Sequence, residues 1–481
     1  MKKLILIISI GVLCSYSALA QNEVDALRYS QLTFGGTARF ASMAGSMGAL
    51  GGDISTLSFN PAGIAVYRKS ELTITPSIFS QNTSSTYNGT NSGDRKLNLG
   101  LDNLGFVGAI HLKEDKNGGW EFLNFGIGYN QSNNFNNRIN IQGYSKNSSL
   151  LDNYVASANG HAPSDFDLFS TNLAYQAYLI NPIGIADQYN HVIPNYGEKQ
   201  LKSIDMSGYM GETDISMGAN YKNKVFLGGT VGIVRLKYSE SSAYTESSDT
   251  TQGFRSFTLN NDLTTTGRGF NFKFGVIVKA TDWLNIGGAI HSPTEIRLTD
   301  KYSRSITSDV DTSGVALAGS MSSPSGSFNY TATTPWRAIG SLGFVIKKIA
   351  VINAEYEYVN YSYAQLHSAP NVFTDVNTTI RNKYTSTGNI RVGAEFRVDP
   401  FAFRIGCAYY GSPYQGGENS NANRMSYTLG AGYRHNKFFM DIAYIYSMYT
   451  EYNYLYDSSN LTSVKNNYTS SNFMITVGTK F

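Results

Sequence analysis

The chain has 481 residues, of which only 15% are charged and 13% are aromatic, and its formal net charge is +3. Soluble domains carry about 25% charged residues, while the mean hydropathy of −0.24 is not that of a helical membrane protein. The charge balance also gives no signal for nucleic-acid binding. Abundant Tyr, Phe and Gly with modest hydropathy instead favour a transmembrane β-barrel, in which half of each strand faces lipid and half faces the lumen.

Residues 1–20 have the pattern of a secretory signal peptide. Two lysines precede an apolar run at 4–13, and Ala18 and Ala20 form a small-x-small cleavage site. The apolar run is too short to span a bilayer as a helix. Cys14 suggests lipidation as an alternative, but the leucine before it is too large for the usual lipobox.

The next segment, 21–69, does not alternate like a membrane strand. Its many small residues allow close backbone approach, which suits a compact segment folded in a confined space. The sequence therefore predicts an N-terminal hatch, or plug, inside the barrel. The alternative is a disordered periplasmic tail, which would leave its apolar side chains in water: Leu50, Ile54, Leu57, Phe59 and Ile64.

Fourteen later segments have the alternation of membrane strands. In 437–449, Phe438, Met440 and Ile442 share one face and Asp441 lies on the other. Because a charge is costly on the lipid face, the face with Asp441 is assigned to the lumen. The predicted strands are 70–80, 98–112, 119–130, 207–221, 224–238, 267–280, 283–297, 334–347, 349–362, 385–397, 401–410, 424–434, 437–449 and 471–481.

The connections between these strands alternate in length, as they do in outer-membrane barrels with short periplasmic turns and long external loops. The short ones are 113–118, 222–223, 281–282, 347–348, 398–400 and 435–436. The long ones are 81–97, 131–206, 239–266, 298–333, 363–384, 411–423 and 450–470. An even number of strands places both chain ends in the periplasm. The sequence thus predicts an all-β, 14-stranded antiparallel transmembrane β-barrel over 70–481, in the outer membrane of a Gram-negative bacterium.

Two of these segments carry further information. The last strand alternates between an apolar and a more polar face and ends on the aromatic Phe481, as many outer-membrane barrels do. Loop 131–206 is unusually long, and its apolar stretch 165–180 predicts one or two short amphipathic helices. A partly apolar loop of this length usually has a function.

The 21–69 segment resembles the amino-terminal hatch of the FadL/TodX outer-membrane transporters. The likeness rests on Gly36-x-x-Arg39, a small-residue run that ends at Gly52 and Asp53, and the motif that begins at Asn60. Weaker likenesses to strand segments of the family extend over nearly the whole chain; they lie at 126–136, 289–293, 334–337, 407–413 and 429–433. The chain departs from the family in a longer amino-terminal stretch, 21–32, and in loops 131–206 and 298–333.

The resemblance implies a passive route for long-chain fatty acids or other hydrophobic compounds. A solute would be captured on an external loop, enter a lumen pocket blocked by the hatch, and leave sideways through a break in the third strand. The implied capture residues are Phe166, Leu168, Phe169, Leu173, Tyr178 and Leu179. The implied gating residues are Asn60, Pro61, Ala62 and Gly63, and those of the lateral opening are Gly126, Gly128 and Asn130. As alternatives, the loop residues only hold the loop together, the glycines only pack against the hatch, and the asparagine turn is only an anchor.

Charged residues recur on the lumen faces of neighbouring strands: Glu355, Glu357, Arg391, Glu395, Arg397 and Arg404. We interpret them as pairs across adjacent strands that hold the hatch, rather than as groups for acid/base chemistry. The six histidines have no metal-ligand spacing, and no nucleophile or phosphate-loop motif is present. We therefore expect no metal, no cofactor and no enzymatic activity.

The sequence leaves three hypotheses for function. The first is a passive transporter of hydrophobic small molecules. The second is an adhesin-type or haem-binding barrel that acts through its loops, and the third is a lipid-modifying barrel enzyme. The expected partners are a fatty acid-like solute, outer-membrane lipid and the barrel-assembly machinery, with the protein a monomer that binds no nucleic acid.

Overall fold

A computed structural model describes residues 22–112, 119–248, 253–312, 315–347, 349–370, 372–457 and 461–481, so the predicted signal peptide lies outside it. Fourteen antiparallel strands form one sheet, which closes because the first strand pairs with both the second and the last. In chain order they are β1 Glu71–Tyr87, β2 Thr90–His111, β3 Trp120–Asn134, β4 Lys199–Tyr221, β5 Val225–Ser247, β6 Phe254–Lys279, β7 Leu284–His291, β8 Arg337–Ile346, β9 Ala350–Asn360, β10 Ser386–Val398, β11 Phe401–Tyr410, β12 Arg424–His435, β13 Phe438–Asn453 and β14 Val464–Lys480. The predicted fold class is confirmed.

Three of these strands are interrupted and then continue. Asn137–Tyr144 extends β3, Glu295–Thr312 extends β7, and Gly326–Thr333 precedes β8 on the same line. Smaller strands lie at the same end of the barrel: Ile180–Pro182, Tyr189–His191, Val315–Ser322 and Gln365–His367.

The wall has the two faces that the alternation predicted. On β13, Phe438 and Met440 are exposed on the outside, whereas Asp441 is buried and receives hydrogen bonds from Arg404 and Arg434 inside. Closure of the sheet pairs the backbones of neighbouring strands around the barrel, which is what burial in a membrane requires.

Three predicted long loops are in large part strand. Residues 81–97 form a continuous hairpin whose turn, Asn88-Gly89, has positive φ at both positions, and 239–266 and 298–333 also continue as strands. The predicted strict alternation of short and long connections is therefore wrong here, because β1 and β2 are joined by a two-residue turn and not by a long loop. Asn-Gly is a favoured two-residue hairpin turn. The strands were missed because their outer ends carry polar residues on both faces, which removes the period-2 signal.

The two ends of the described chain lie at opposite ends of the barrel. Ser70 and Phe481 exchange backbone hydrogen bonds at the end with the short turns. Asn22 lies at the end with the long loops, where it lines a cavity together with Lys202 and Tyr456. Residues 22–69 thus run through the length of the lumen. That both chain ends lie in the periplasm stays a prediction.

This N-terminal segment, residues 22–69, is compact and buried. It comprises α1 Glu23–Ser30, α2 Ala38–Ser42, and two 3₁₀ helices at Ile54–Ser58 and Pro61–Val66. It contacts the inner faces of strands around the barrel, and many of its side chains, including Phe40, are fully buried.

The connection between β3 and β4 folds over the long-loop end as a cap, residues 145–198. It contains α3 Leu150–Ala158, a 3₁₀ turn at Pro163–Asp165 and α4 Thr171–Gln176. The sequence predicted helix only in the second half of this range, although Ser149 and Asp152 form a capping box at the start of α3. A further helix, α5 Thr374–Lys383, lies between β9 and β10. None of the helices in the described ranges is long and apolar enough to cross a membrane.

Candidate functional site

A cavity of about 480 Å³ lies beneath the cap at the long-loop end. Its apolar lining includes Phe169 from the cap, whose ring centroid is 5.1 Å from that of Tyr302 on the extension of β7. Two cations also line it. Lys202 Nζ donates a hydrogen bond to a backbone carbonyl at 2.6 Å, and Arg304 Nη1 donates one to Phe169 O at 3.2 Å. Glu240 and Asp262 line the same cavity, so it combines aromatic surface with charges of both signs.

The six predicted capture residues divide into three groups. Phe166, Leu173 and Leu179 are buried in the core of the cap, where they hold it together and are not accessible to a solute. Leu168 and Tyr178 are about half exposed, and Phe169 is the one that lines the cavity. The sequence missed Lys202, Tyr302 and Arg304, which lie in ranges predicted to be loops but point inward from strand extensions.

Below this cavity, α1 fills the upper lumen. Ala26, Leu27 and Tyr29 are buried against apolar side chains of the wall, and Arg28 lies 4.2 Å from the ring centroid of Tyr238. The wall residues around α1 include Met210, Val234, Leu236, Ile296, Leu298, Tyr330, Val359 and Tyr361. The path from the upper cavity into the barrel is therefore occupied by the chain's own first helix.

The middle of the lumen has little free volume beyond a cavity of about 120 Å³ beside Thr33, Phe79 and Asn133. Two cavities of about 20 and 30 Å³ lie beside Leu32, His291 and Arg337. A single water molecule needs at least about 10–15 Å³ of such volume, so these spaces hold only one or two waters. A solute can pass only if 22–69 moves.

The third strand changes its partner at this level. Its ladder with β2 ends at the pair Asn103 and Asn130, and a register irregularity on the β4 side lies between Gln131 and Asn133. Beyond that point Ser132 O accepts a hydrogen bond from Thr33 N at 2.9 Å. The N-terminal segment therefore takes the place of β2 against β3.

Of the predicted opening residues, Asn130 lies at the end of the β2–β3 ladder, whereas Gly126 and Gly128 are paired with β2 inside it. Asn130 Nδ2 donates a hydrogen bond to Ser58 Oγ at 2.7 Å, which ties the strand to the N-terminal segment. A Cβ on Gly126 would lie 2.7 Å from Ile64 Cδ1, so the backbone of β3 packs closely against the N-terminal segment here. The packing role that the sequence left open for the glycines is thus present.

The predicted gating residues anchor the N-terminal segment. Asn60 caps the helix Pro61–Val66, since its Oδ1 accepts a hydrogen bond from Ala62 N, and its Nδ2 donates to Gly48 O at 2.6 Å. The same amide packs against Gly275 of β6, where a Cβ would lie 1.9 Å from Asn60 Oδ1.

The predicted lumen charges form two ion-pair networks. In the first, Arg391 Nη2 donates to Glu355 at 2.7 Å and to Glu357 at 3.0 Å, and Glu355 accepts the backbone N–H of Gly48 at 2.9 Å. In the second network, the carboxylate of Glu395 accepts a hydrogen bond from Arg404 Nε at 2.6 Å.

The second network also reaches the N-terminal segment. Arg39 Nε donates to Glu395 at 3.0 Å, and Arg397, which is half exposed at the short-turn end, binds the same carboxylate at 2.6 Å. Both networks therefore pair charges across adjacent strands and bind the N-terminal segment to the wall.

A third network was not predicted. Lys273 on β6 pairs with Glu212 at 2.5 Å and with Asp214 at 3.3 Å, and Ser58 donates to Asp214. The residues are alternate, inward positions of β4 and β6, but predicted strand spans could not show that their registers align.

Comparison with known proteins agrees with this architecture. The model of a protein family described as "outer membrane protein transport protein (OMPP1/FadL/TodX)" matches residues 196–480, which is more than half of the chain. A search of curated proteins finds no match.

Solved structures agree in fold. A Pseudomonas aeruginosa FadL homologue superposes with a TM-score of 0.56 at 13% identity, over 94% of this chain and 99% of that chain. The P. putida toluene transporter TodX superposes with a TM-score of 0.52 at 12% identity, over 93% of this chain and 99% of that chain. The Ralstonia pickettii toluene transporter TbuX superposes with a TM-score of 0.51 at 14% identity, over 93% of this chain and 98% of that chain. The chain therefore belongs to the OMPP1/FadL/TodX family of outer membrane transport proteins.

Proposed function

We propose that the protein carries long-chain fatty acids passively across the outer membrane, with capture under the cap and lateral exit beside β3. The observation that carries this proposal is the exchange of partners at β3, where Thr33 replaces β2 as the neighbour of Ser132. A wall whose seam is held by a segment inside the lumen can open when that segment moves.

The first step is capture in the 480 Å³ cavity. An acyl chain would lie against Phe169 and Tyr302, because burial of apolar surface is favourable by about 25 cal/mol per Å². Lys202 and Arg304 offer N–H donors to the carboxylate of a fatty acid, because neither forms an ion pair with a described residue, although Glu240 and Asp262 lie in the same lining. Burial lowers the pKa of Lys202, so a carboxylate beside it would relieve the cost of its charge.

The second step is displacement of the N-terminal segment, which we propose to act as the hatch. Small cavities beside Leu32 and His291 already lie next to the seam. A shift of 31–35 would release Ser132 and enlarge these cavities into a lateral path between β2 and β3. Non-helical backbone at membrane depth is tolerated where it lines such a cavity.

The test uses the uptake of labelled oleate by cells that lack the gene, cells with the wild-type gene, and cells with Thr33→Cys and Ser132→Cys in a Cys407→Ser background. Uptake is expected to fall without the gene and to return with the wild type. The double variant should take up oleate only after reduction of its disulfide, because the bond staples the hatch to β3. Each single-cysteine variant is the matched control and should transport in both redox conditions.

Two results would count against different parts of the proposal. Equal uptake of oleate, alkanes and haem with and without the gene would overturn transport itself. Unchanged uptake by the verified disulfide form would leave transport standing but overturn hatch movement and lateral exit.

A further inference from the structure

Three arginines form a row on the outer surface of the barrel. Arg235 of β5 is the register partner of Arg268 on β6, which is in turn the partner of Arg297 on the extension of β7. All three are exposed, and they occupy outward positions of the alternating strands. Adjacent strands lie about 4.8 Å apart, so three cations stand side by side toward the long-loop end of the wall.

This row lacks compensation by the protein. None of the three arginines makes an ion pair with another residue of the described ranges. Glu295 lies on the same face two positions before Arg297, but its register partner is Phe270 and it pairs with none of the arginines. Like charges directly opposite each other destabilise a sheet, so the row favours an anion from outside.

The surface on either side of the row is amphipathic. Toward the short-turn end, Ile233, Phe270 and Phe272 are 41%, 50% and 45% exposed on the same outer face. Toward the long-loop end, the next outward positions of β6 and of the β7 extension are Thr266 and Thr299. The order along the wall is therefore apolar, cationic and hydroxyl-bearing.

Exposed cations flank the hydroxyl-bearing positions. Lys237 is the register partner of Thr266, and Lys301 is the partner of Thr264. Both lysines are exposed. The cationic surface thus extends beyond the row into the region that a large polar head group would cover.

We propose that this surface binds a phosphorylated glycolipid of the outer leaflet. The acyl chains would lie on the apolar positions, the phosphates on the arginine row, and the sugars on the threonines. Arginine binds phosphate through two parallel N–H donors, which makes it well suited to such head groups. The site faces lipid and is separate from the transport path inside the barrel.

The test is a titration of the purified protein in neutral detergent with diphosphoryl lipid A, followed by native mass spectrometry. The variant Arg235→Gln, Arg268→Gln, Arg297→Gln should bind lipid A at least about tenfold more weakly, since hydrogen bonds to charged groups are strong. A triple variant of exposed cations elsewhere, Arg381→Gln, Lys437→Gln and Lys465→Gln, is the matched control and should bind like the wild type.

Two further ligands show whether the site requires a phosphorylated lipid. Dephosphorylated lipid A should bind weakly to the wild type, and inorganic phosphate at millimolar concentration should not compete. Equal binding of lipid A by the row variant, equal binding of the dephosphorylated lipid, or displacement by inorganic phosphate would each overturn the proposal. The shift in gel mobility on heating, which reports a folded barrel, shows that the row variant is intact.

Discussion

Arg404 is the residue on which the second lumen network depends. Its side chain is 1% exposed and lies between Glu395 at 2.6 Å and Asp441 at 2.7 Å. We expect Arg404→Leu to destabilise the barrel by about 3 kcal/mol or more, because removal of one partner leaves buried carboxylates short of compensation. Urea unfolding in detergent micelles measures this change in the free energy of unfolding.

A neighbouring residue provides the control for that measurement. Arg397 binds the same carboxylate of Glu395, but half of its side chain is exposed. Arg397→Leu should cost less than about 1 kcal/mol, as exposed ion pairs do. If both variants lowered the free energy of unfolding equally, burial of the ion pairs would not determine how much they stabilise the barrel.

Glu246 is a buried carboxyl in the contact between β5 and the cap, outside the membrane-spanning part. It accepts hydrogen bonds from Ser149 Oγ at 2.5 Å, Leu150 N at 2.8 Å and Tyr244 OH at 2.6 Å. These donors favour the charged form, but burial outweighs them and raises the pKa of Glu246 to about 7.

The raised pKa makes cap stability depend on pH. The folded cap holds the proton of Glu246 more tightly than the unfolded chain does, whose pKa is near 4.5. The stabilisation is therefore full below pH 4.5 and is lost as the pH rises through about 7. Amide hydrogen exchange in α3 should be slower at pH 5 than at pH 8 after correction for intrinsic exchange rates. Glu246→Gln, which resembles the protonated acid, should remove this difference; a difference that persists would assign it to another group.

At the scale of elements, the membrane-embedded strands could be predicted from the sequence and their outer extensions could not. Within the bilayer, one face meets lipid and the other meets the lumen, so Phe438 and Asp441 alternate clearly. Beyond the bilayer both faces meet polar surroundings, and stretches such as 81–87 and 239–247 lose that contrast although β-pairing continues.

The candidate site shows the same limit. Inward charges such as Glu355 and Arg391 could be predicted, because strand alternation alone assigns their face. Lys202 and Arg304 could not be, because they project into the upper cavity from extensions that looked like loops. Phe166 could not be placed in the core of the cap, since an apolar residue in a loop fits packing and capture equally well.

At the scale of the whole molecule, three obstructions lie in series between the long-loop end and the seam at β3. The cap covers the upper cavity, α1 fills the upper lumen, and residues 33–67 fill the rest. The second obstruction is a separate unit from the third, because α1 is joined to residues 33–67 only through 31–32 and packs on the wall with its own apolar residues. We infer that α1 opens separately from residues 33–67.

Deletion of residues 22–30 tests this separation. Removal of Ala26, Leu27 and Tyr29 should join the upper cavity to the spaces beside Leu32, so oleate should enter faster. Cells should remain resistant to large hydrophilic antibiotics, since 33–67 still fills the lumen below. A full-length variant with Leu27→Ala and Tyr29→Ala is the matched control and should lie between the deletion and the wild type. Slower oleate uptake by a folded deletion variant would mean that α1 helps to bind the solute, and antibiotic sensitivity would mean that residues 33–67 do not seal the barrel without it.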